Sequence, residues 1–128
     1  MKKGGITHPE LSFLVASVGH TDYIVLADQG YPIPDDVMRI NLGFMDDHPT
    51  VPDVLTALAL EMDIDRLIVT EEMASVSPQR LRILQSKYPD LRIEKISHTE
   101  FKQLTNGAKG AVKTADTCPY ANLIVVSG

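Results

Sequence analysis

The chain has few of the residues that form covalent cross-links or bind transition metals. Cys118 is the only cysteine among 128 residues, which excludes an intramolecular disulfide and a multi-cysteine metal site. None of the four histidines is spaced as part of a ligand pair. We therefore expect no bound metal, and the single cysteine fits a reducing compartment such as the cytoplasm.

Other absences exclude further classes of protein. Basic residues number 12 against 17 acidic ones and are scattered, so nucleic acid is not an expected partner. No apolar run approaches the length of a membrane span. The apolar residues 11–18 follow His8-Pro9-Glu10 and precede no clear cleavage site, which favours a helix over a signal peptide. The sequence also has no glycine-rich phosphate loop and no GxSxG or HExxH motif.

The sequence does contain a regular alternation of strand-length apolar runs and helical segments. It indicates one globular domain, residues 1–128, with 44% apolar residues. The predicted strands are residues 23–27, 37–42, 66–70, 91–96, 111–114 and 122–126. The predicted helices are residues 9–18, 51–62 and 78–88, the last capped by Ser77, and a short helix in which Ser97 and Glu100 form a capping box. This order predicts an α/β fold with a mainly parallel sheet and helices on both faces.

A turn rich in polar groups precedes the last predicted strand. Pro119 fixes the backbone, Tyr120 offers a ring face and a hydroxyl, and Asn122 offers amide donors and a carbonyl. These groups suit a small, neutral ligand rich in hydroxyls, such as a sugar. The structural alternative is a turn in which Tyr120 packs against the core and Asn122 caps the loop.

Two further polar residues flank the first predicted strand. Asp28 directly follows it, where ligands often bind in parallel sheets, although its carboxylate could instead form an Asx-turn. His20 lies just past the first helix and serves either as a helix-end charge or as a proton-transfer group.

Two pairs of charged or titratable residues lie further along the chain. His98 and Lys102 are four residues apart on a helix and share one face, which contacts either a ligand or solvent. Glu71 and Glu72 follow a predicted strand, where paired carboxylates suit a metal or acid–base chemistry. For these two we favour a role in capping the next helix.

As a set, these motifs resemble the D-ribose pyranase family, which includes the related fucose mutarotases. The matching segments are Met1-Lys2-Lys3-Gly4, Val18-Gly19-His20-Thr21-Asp22, Ala27-Asp28-Gln29-Gly30-Tyr31-Pro32-Ile33-Pro34, Glu61-Met62, Glu71-Glu72-Met73, Ser97-His98-Thr99-Glu100-Phe101-Lys102 and Pro119-Tyr120-Ala121-Asn122. They cover nearly the whole chain in the family's order, and the last two look more like the ribose branch. The departures are Lys113-Thr114-Ala115-Asp116 in place of Arg-Thr-Gly-Glu, and Gln29 and Tyr31, where smaller or aliphatic residues are common.

The resemblance implies an isomerase of ribose catabolism in the cytoplasm, which interconverts the pyranose and furanose forms of free D-ribose. It implies His20 as the proton donor, and ring opening involves no redox change, so no cofactor is expected. The implied sugar contacts are Asp28, His98, Lys102, Tyr120, Asn122 and the backbone of Ala121. The resemblance also implies a ring-shaped homo-oligomer, typically a decamer, with sites between adjacent subunits. The alternatives are a mutarotase for fucose or a related sugar, and a non-catalytic sugar-binding accessory protein of a sugar transport system.

The spacing of His20 and Asp28 independently favours a site shared between subunits. Eight residue steps reach at most about 26 Å. The strand between them takes up about 16 Å of that reach. Unless the flanking loops fold back, these two residues of one subunit cannot both contact one small sugar.

Overall fold

The centre of the molecule is a six-stranded sheet. In the computed structural model, which describes residues 1–128, the strands are β1 (Tyr23–Ala27), β2 (Arg39–Asn41), β3 (Ile64–Thr70), β4 (Arg92–Ile96), β5 (Gly110–Lys113) and β6 (Leu123–Ser127). Their order across the sheet is β2-β5-β1-β6-β3-β4. Five strands run in one direction, and β6 runs antiparallel between β1 and β3. The predicted mainly parallel α/β sheet is confirmed, and the reversed direction of β6 is a feature that the sequence pattern did not predict.

Helices cover both faces of the sheet, as predicted. They are α1 (Pro9–Ser17), α2 (Val51–Ala59), α3 (Glu71–Val76), α4 (Pro78–Lys87) and α5 (His98–Thr105). The first four pack against one face in a cluster of 19 buried residues, to which α1, α2 and α4 contribute leucines and α3 contributes Met73. On the other face a cluster of 10 forms around the fully buried Phe101 of α5 and the loop that follows β1. None of the helices is both long and apolar enough to cross a membrane.

The segment between β3 and α4 differs from the sequence prediction. Residues 71–76 form the unpredicted helix α3, which the Thr70 side chain caps. The Ser77 side chain does not cap α4, so that prediction was wrong. Its hydroxyl donates instead to the carbonyl of Pro119 at 2.6 Å, and thereby ties the α3–α4 junction to the turn before β6.

The other elements differ from prediction mainly at their ends. The strand predicted over residues 37–42 shortens to β2, and the helix predicted over residues 51–62 ends at Ala59. The Ser97 side chain accepts the Glu100 backbone N–H at 3.1 Å and so caps α5 as predicted. A complete capping box forms instead at the start of α2.

Candidate active site

Polar residues from distant parts of the chain meet at the end of the sheet where its parallel strands have their carboxyl ends. Asp28 follows the carboxyl end of β1, and His98 begins α5 shortly after the carboxyl end of β4. Because β6 is antiparallel, its amino end lies at the same end of the sheet, and Asn122 directly precedes it. Ligands of α/β proteins commonly bind beyond the carboxyl ends of parallel strands.

These residues line a cavity of about 270 Å³. Its wall consists of Asp28, Gly30, Tyr31, Pro32, His98, Tyr120 and Asn122. Drug-sized ligands occupy cavities of roughly 300–1,000 Å³, so this smaller one suits a ligand of monosaccharide size. A larger groove of about 570 Å³ adjoins it through Gly30. We assign the site to the smaller cavity because a carboxylate, an imidazole and an amide converge there with aromatic rings.

A hydrogen bond between Asp28 and Asn122 fixes two of the polar groups. The Asn122 Oδ1 accepts the Asp28 backbone N–H at 2.7 Å, which leaves the amide –NH₂ of this 2% exposed residue to donate to a ligand. The Asp28 Oδ1 accepts the Gly30 N–H at 3.0 Å, so the Asx-turn also forms. The backbone of Ala121 also acts to lower the pKa of this carboxylate. The turn and the ligand-facing position of Asp28 are therefore compatible.

Burial raises the pKa of Asp28 above its ordinary value of 3.8, although hydrogen bonds from the Gly30 and Ala121 backbones partly oppose the shift. A raised pKa in the folded state gives stability that is fully present below pH 3.8 and is lost as the pH rises through the raised value. At neutral pH the ionised Asp28 therefore destabilises the fold.

We expect Asp28→Asn, which is uncharged, to raise the melting temperature at neutral pH. The gain should shrink as the pH falls through the raised pKa, and thermal unfolding across acidic and neutral pH measures it. Asp47→Asn is the matched control of opposite sign, because hydrogen bonds from the Thr117 N–H and hydroxyl lower the pKa of Asp47. A lower melting temperature of Asp28→Asn at neutral pH would contradict the prediction.

His98 lies at the start of α5 with its ring in the cavity. Its ring stands edge-on to Tyr120, with centroids 5.4 Å apart and planes at 89°. Its backbone N–H donates to both carboxylate oxygens of Glu72, at 3.2 and 3.1 Å. Glu72 thus stabilises the amino end of α5 by charge as well as by hydrogen bonding. Glu72 therefore caps α5 and not the next helix, to which the sequence prediction assigned it. Both Glu71 and Glu72 lie within the first turn of α3, which the Thr70 side chain caps.

The turn that carries Tyr120 is held by buried polar contacts. Tyr120 has a left-handed backbone, φ 53°, which costs a side-chain-bearing residue on the order of 1 kcal/mol. The fully buried carboxylate of Asp116 accepts the Cys118 N–H at 3.0 Å and the Val51 N–H at 2.8 Å. It also pairs with Arg80 through two hydrogen bonds, at 2.6 and 3.2 Å. The aromatic ring and amide of this turn are therefore positioned before any ligand binds.

Three of the predicted site residues do not line this cavity: His20, Lys102 and the fully buried Ala121. His20 is exposed and precedes β1, and the Thr21 N–H next to it bonds to the Ser127 carbonyl at the far end of β6. His20 thus lies near the amino end of β1 and Asp28 at its carboxyl end, about 16 Å apart by the length of this strand. Lys102 is exposed one turn along α5 from His98 and does not line the cavity.

Sequence reasoning missed three residues of the cavity wall, Gly30, Tyr31 and Pro32. The signal that could have found them is their position in the loop directly after Asp28, at an end of the sheet where ligands bind.

The fold and the cavity define an α/β protein with a candidate small-molecule site at the carboxyl ends of its parallel strands. The chain belongs to the RbsD / FucU transport protein family, whose model matches residues 1–128. It is 39% identical to the D-ribose pyranase of Geobacillus thermodenitrificans (strain NG80-2), over 100% of this chain and 97% of that protein.

Solved structures agree with this family. The structure of Bacillus subtilis RbsD complexed with D-ribose matches with a TM-score of 0.95 at 38% identity, covering 100% of this chain and 98% of that one. The fucose mutarotase from Streptococcus pneumoniae in complex with L-fucose has a TM-score of 0.72 at 21% identity, covering 99% and 98%, which shows a shared fold alone. The family predicted from the motifs is confirmed.

Proposed function

We propose that this protein is a D-ribose pyranase, an isomerase that interconverts the pyranose and furanose forms of free D-ribose. The observation that carries the proposal is the similarity over the whole chain, at 38% identity, to a protein whose structure contains D-ribose. The cavity supplies matching chemistry, with a carboxylate, an amide and aromatic rings at this end of the sheet. We place the reaction in the cytoplasm, as a step of ribose catabolism.

The reaction is a pair of proton-coupled ring steps. Opening of the pyranose breaks the C1–O5 bond, removes a proton from the O1 hydroxyl and delivers one to O5, which leaves an open aldehyde. Closure to the furanose forms the C1–O4 bond, takes a proton from O4 and returns one to O1. General acid–base catalysis of such transfers contributes about 10²–10⁴-fold.

The cavity residues bind and orient the sugar in this scheme. Asp28 accepts hydrogen bonds from sugar hydroxyls, and the free amide hydrogens of Asn122 donate to sugar oxygens. Tyr120 and His98 contact the sugar from the aromatic wall. We assign Lys102 to the rim, since its exposed side chain extends from the same face of α5 as His98.

We propose that His20, the proton donor, comes from an adjacent subunit. It is exposed and lies at the opposite end of the sheet from the cavity of its own chain. Apolar surface beside the site supports such a contact, because Phe44 and Met45 of the adjoining groove are 78% and 60% exposed. In a closed ring, every subunit contributes its His20 to the site of one neighbour and receives a His20 from the other neighbour. A decamer of stacked rings meets this requirement.

We expect light scattering to find a closed homo-oligomer, with a decamer as the specific expectation. Replacing Phe44→Asp should dissociate it, because a carboxylate would be buried without a partner at the contact, and activity should fall with the assembly. A monomer with full activity would refute the shared site.

The proposed function is tested by saturation-transfer NMR at the anomeric protons of a panel of free sugars. We expect faster exchange between ribopyranose and ribofuranose when the protein is added. Acceleration of L-fucose anomer exchange without that of ribose would identify a fucose mutarotase instead. Ribose binding in calorimetry without any faster exchange would identify a sugar-binding accessory protein.

We expect the activity to persist after exhaustive EDTA treatment. No group of three or more His, Cys, Asp or Glu side chains is placed to hold a metal ion, and the proton transfers need none. The exchange rate before and after chelation is the measurement. Loss of activity that one divalent ion restores would show that Glu71, Glu72 or the histidines had been misassigned.

A further inference from the structure

Tyr31 is an aromatic residue of the cavity wall for which the ring-opening chemistry gives no role. It lies in a loop dense in turn-forming residues, yet it is only 5% exposed. Its ring joins the apolar cluster around Phe101, with centroids 5.7 Å apart and planes at 83°. Tyr31 thus connects the loop after Asp28 with helix α5.

The hydrogen bond between the hydroxyls of Tyr31 and Thr105 has a defined donor and acceptor. The Thr105 Oγ1, which is buried, lies 3.0 Å from the Phe101 carbonyl and 2.6 Å from the Tyr31 hydroxyl. A carbonyl oxygen can only accept, so Thr105 donates its single proton to Phe101. Tyr31 must therefore donate to Thr105, and its ring is held at both the hydroxyl and the aromatic edge.

The ring of His98 depends on its aromatic neighbours for its orientation. Its Nδ1 is buried and has no hydrogen-bond partner, so no hydrogen bond there sets the rotamer. Tyr31 stands edge-on to this imidazole at 6.1 Å and 89°, and Tyr120 stands edge-on at 5.4 Å. Edge-to-face contacts of this kind have a preferred geometry and orient both rings.

We propose that Tyr31 is a positioning residue of the sugar site. Anchored on Thr105, it holds the His98 imidazole with Nδ1 buried and Nε2 towards the cavity. The role of this orientation in sugar binding rests on the proposed function, whereas the orientation itself does not.

Three substitutions separate the ring of Tyr31 from its hydroxyl. Tyr31→Leu removes both, Tyr31→Phe keeps the ring, and Thr105→Val keeps Tyr31 but removes its anchor. We expect Tyr31→Leu to weaken D-ribose binding about 3- to 10-fold in calorimetry. It should also shift and broaden the His98 ring resonances in nitrogen-detected NMR of the sugar-free protein. Tyr31→Phe should restore the binding and the resonances nearly to wild type, because the ring alone makes the edge-on contact with His98. Thr105→Val should give intermediate values, because it leaves the Tyr31 hydroxyl buried without a partner.

Tyr23→Leu is the matched control. The Tyr23 hydroxyl also anchors α5, through the Leu104 carbonyl at 2.7 Å, but Tyr23 is absent from the cavity wall. It should lower the melting temperature without moving the His98 resonances, which separates positioning from general loss of stability.

The His98 resonances test the positioning role of Tyr31, whereas the ribose exchange rate tests the proposed pyranase function. Unchanged His98 resonances in Tyr31→Leu would overturn the proposal, because Tyr31 would then only fill space. Equal shifts in Tyr31→Leu and Tyr23→Leu would overturn it as well. Wild-type protein that does not accelerate ribose exchange would refute the pyranase function, while the His98 resonances would still test the positioning role.

Discussion

Two variants that each lack one proposed site residue, His20→Asn and Asp28→Ala, are expected to regain activity when their subunits are mixed in one assembly. Alone, His20→Asn should lower the ribose exchange rate by about 10²–10⁴-fold, since asparagine cannot relay the proton. Asp28→Ala should lower it about 10- to 100-fold through lost hydrogen bonds to a charged group. If each site takes His20 from one subunit and Asp28 from its neighbour, random mixing leaves about one quarter of the sites intact. Co-expression followed by the anomeric exchange measurement tests this.

The control is a double variant, His20→Asn with Asp28→Ala, mixed equally with wild type. A site within one subunit would retain about half of the wild-type rate in this mixture, whereas a shared site would again retain about one quarter. If the exchange rate of the first mixture does not exceed the sum of the rates of the two separate variants, both residues belong to the site of the same subunit. The position of His20 at the opposite end of β1 from Asp28 is the structural reason to expect recovery.

Strand positions could be predicted from the sequence, but strand direction could not. An uninterrupted apolar run such as β1 or β6 indicates a buried strand because both of its faces are covered. The same run has no feature that specifies whether it lies parallel or antiparallel to its neighbours. The direction of β6 is nevertheless what brings Asn122 beside Asp28.

The candidate site was predictable where it depended on strand ends and not where it depended on distant packing. Asp28 and Asn122 could be proposed because each adjoins an apolar strand. Tyr31 could not, since its burial depends on Thr105, which is 74 residues away. Helical periodicity correctly placed His98 and Lys102 on one face of α5. The cavity lies at the amino end of this helix, however, and of the two residues only His98 lines it.

Asp116→Asn is expected to lower the free energy of unfolding by about 3–5 kcal/mol, the usual cost of removing one partner from a buried ion pair. The carboxylate is fully buried and pairs with Arg80, whose side chain is 14% exposed, so the remaining guanidinium would lose its countercharge away from bulk water. The substitution also weakens the acceptors for the Val51 and Cys118 N–H groups. Urea unfolding at one fixed subunit concentration, which keeps assembly effects constant, measures the change.

Arg92→Gln is the control for Asp116→Asn, because the Arg92 side chain is 64% exposed and its loosely paired charge should contribute less than about 1 kcal/mol. The double variant Arg80→Met with Asp116→Asn should recover part of the loss, since no unpaired charge remains buried. D-ribose affinity should fall in Asp116→Asn, because the turn that presents Tyr120 and Asn122 loses its support. A stability loss no larger than that of Arg92→Gln would mean that the left-handed turn at Tyr120 is held without the Asp116 carboxylate, by contacts such as the Ser77 hydrogen bond to Pro119.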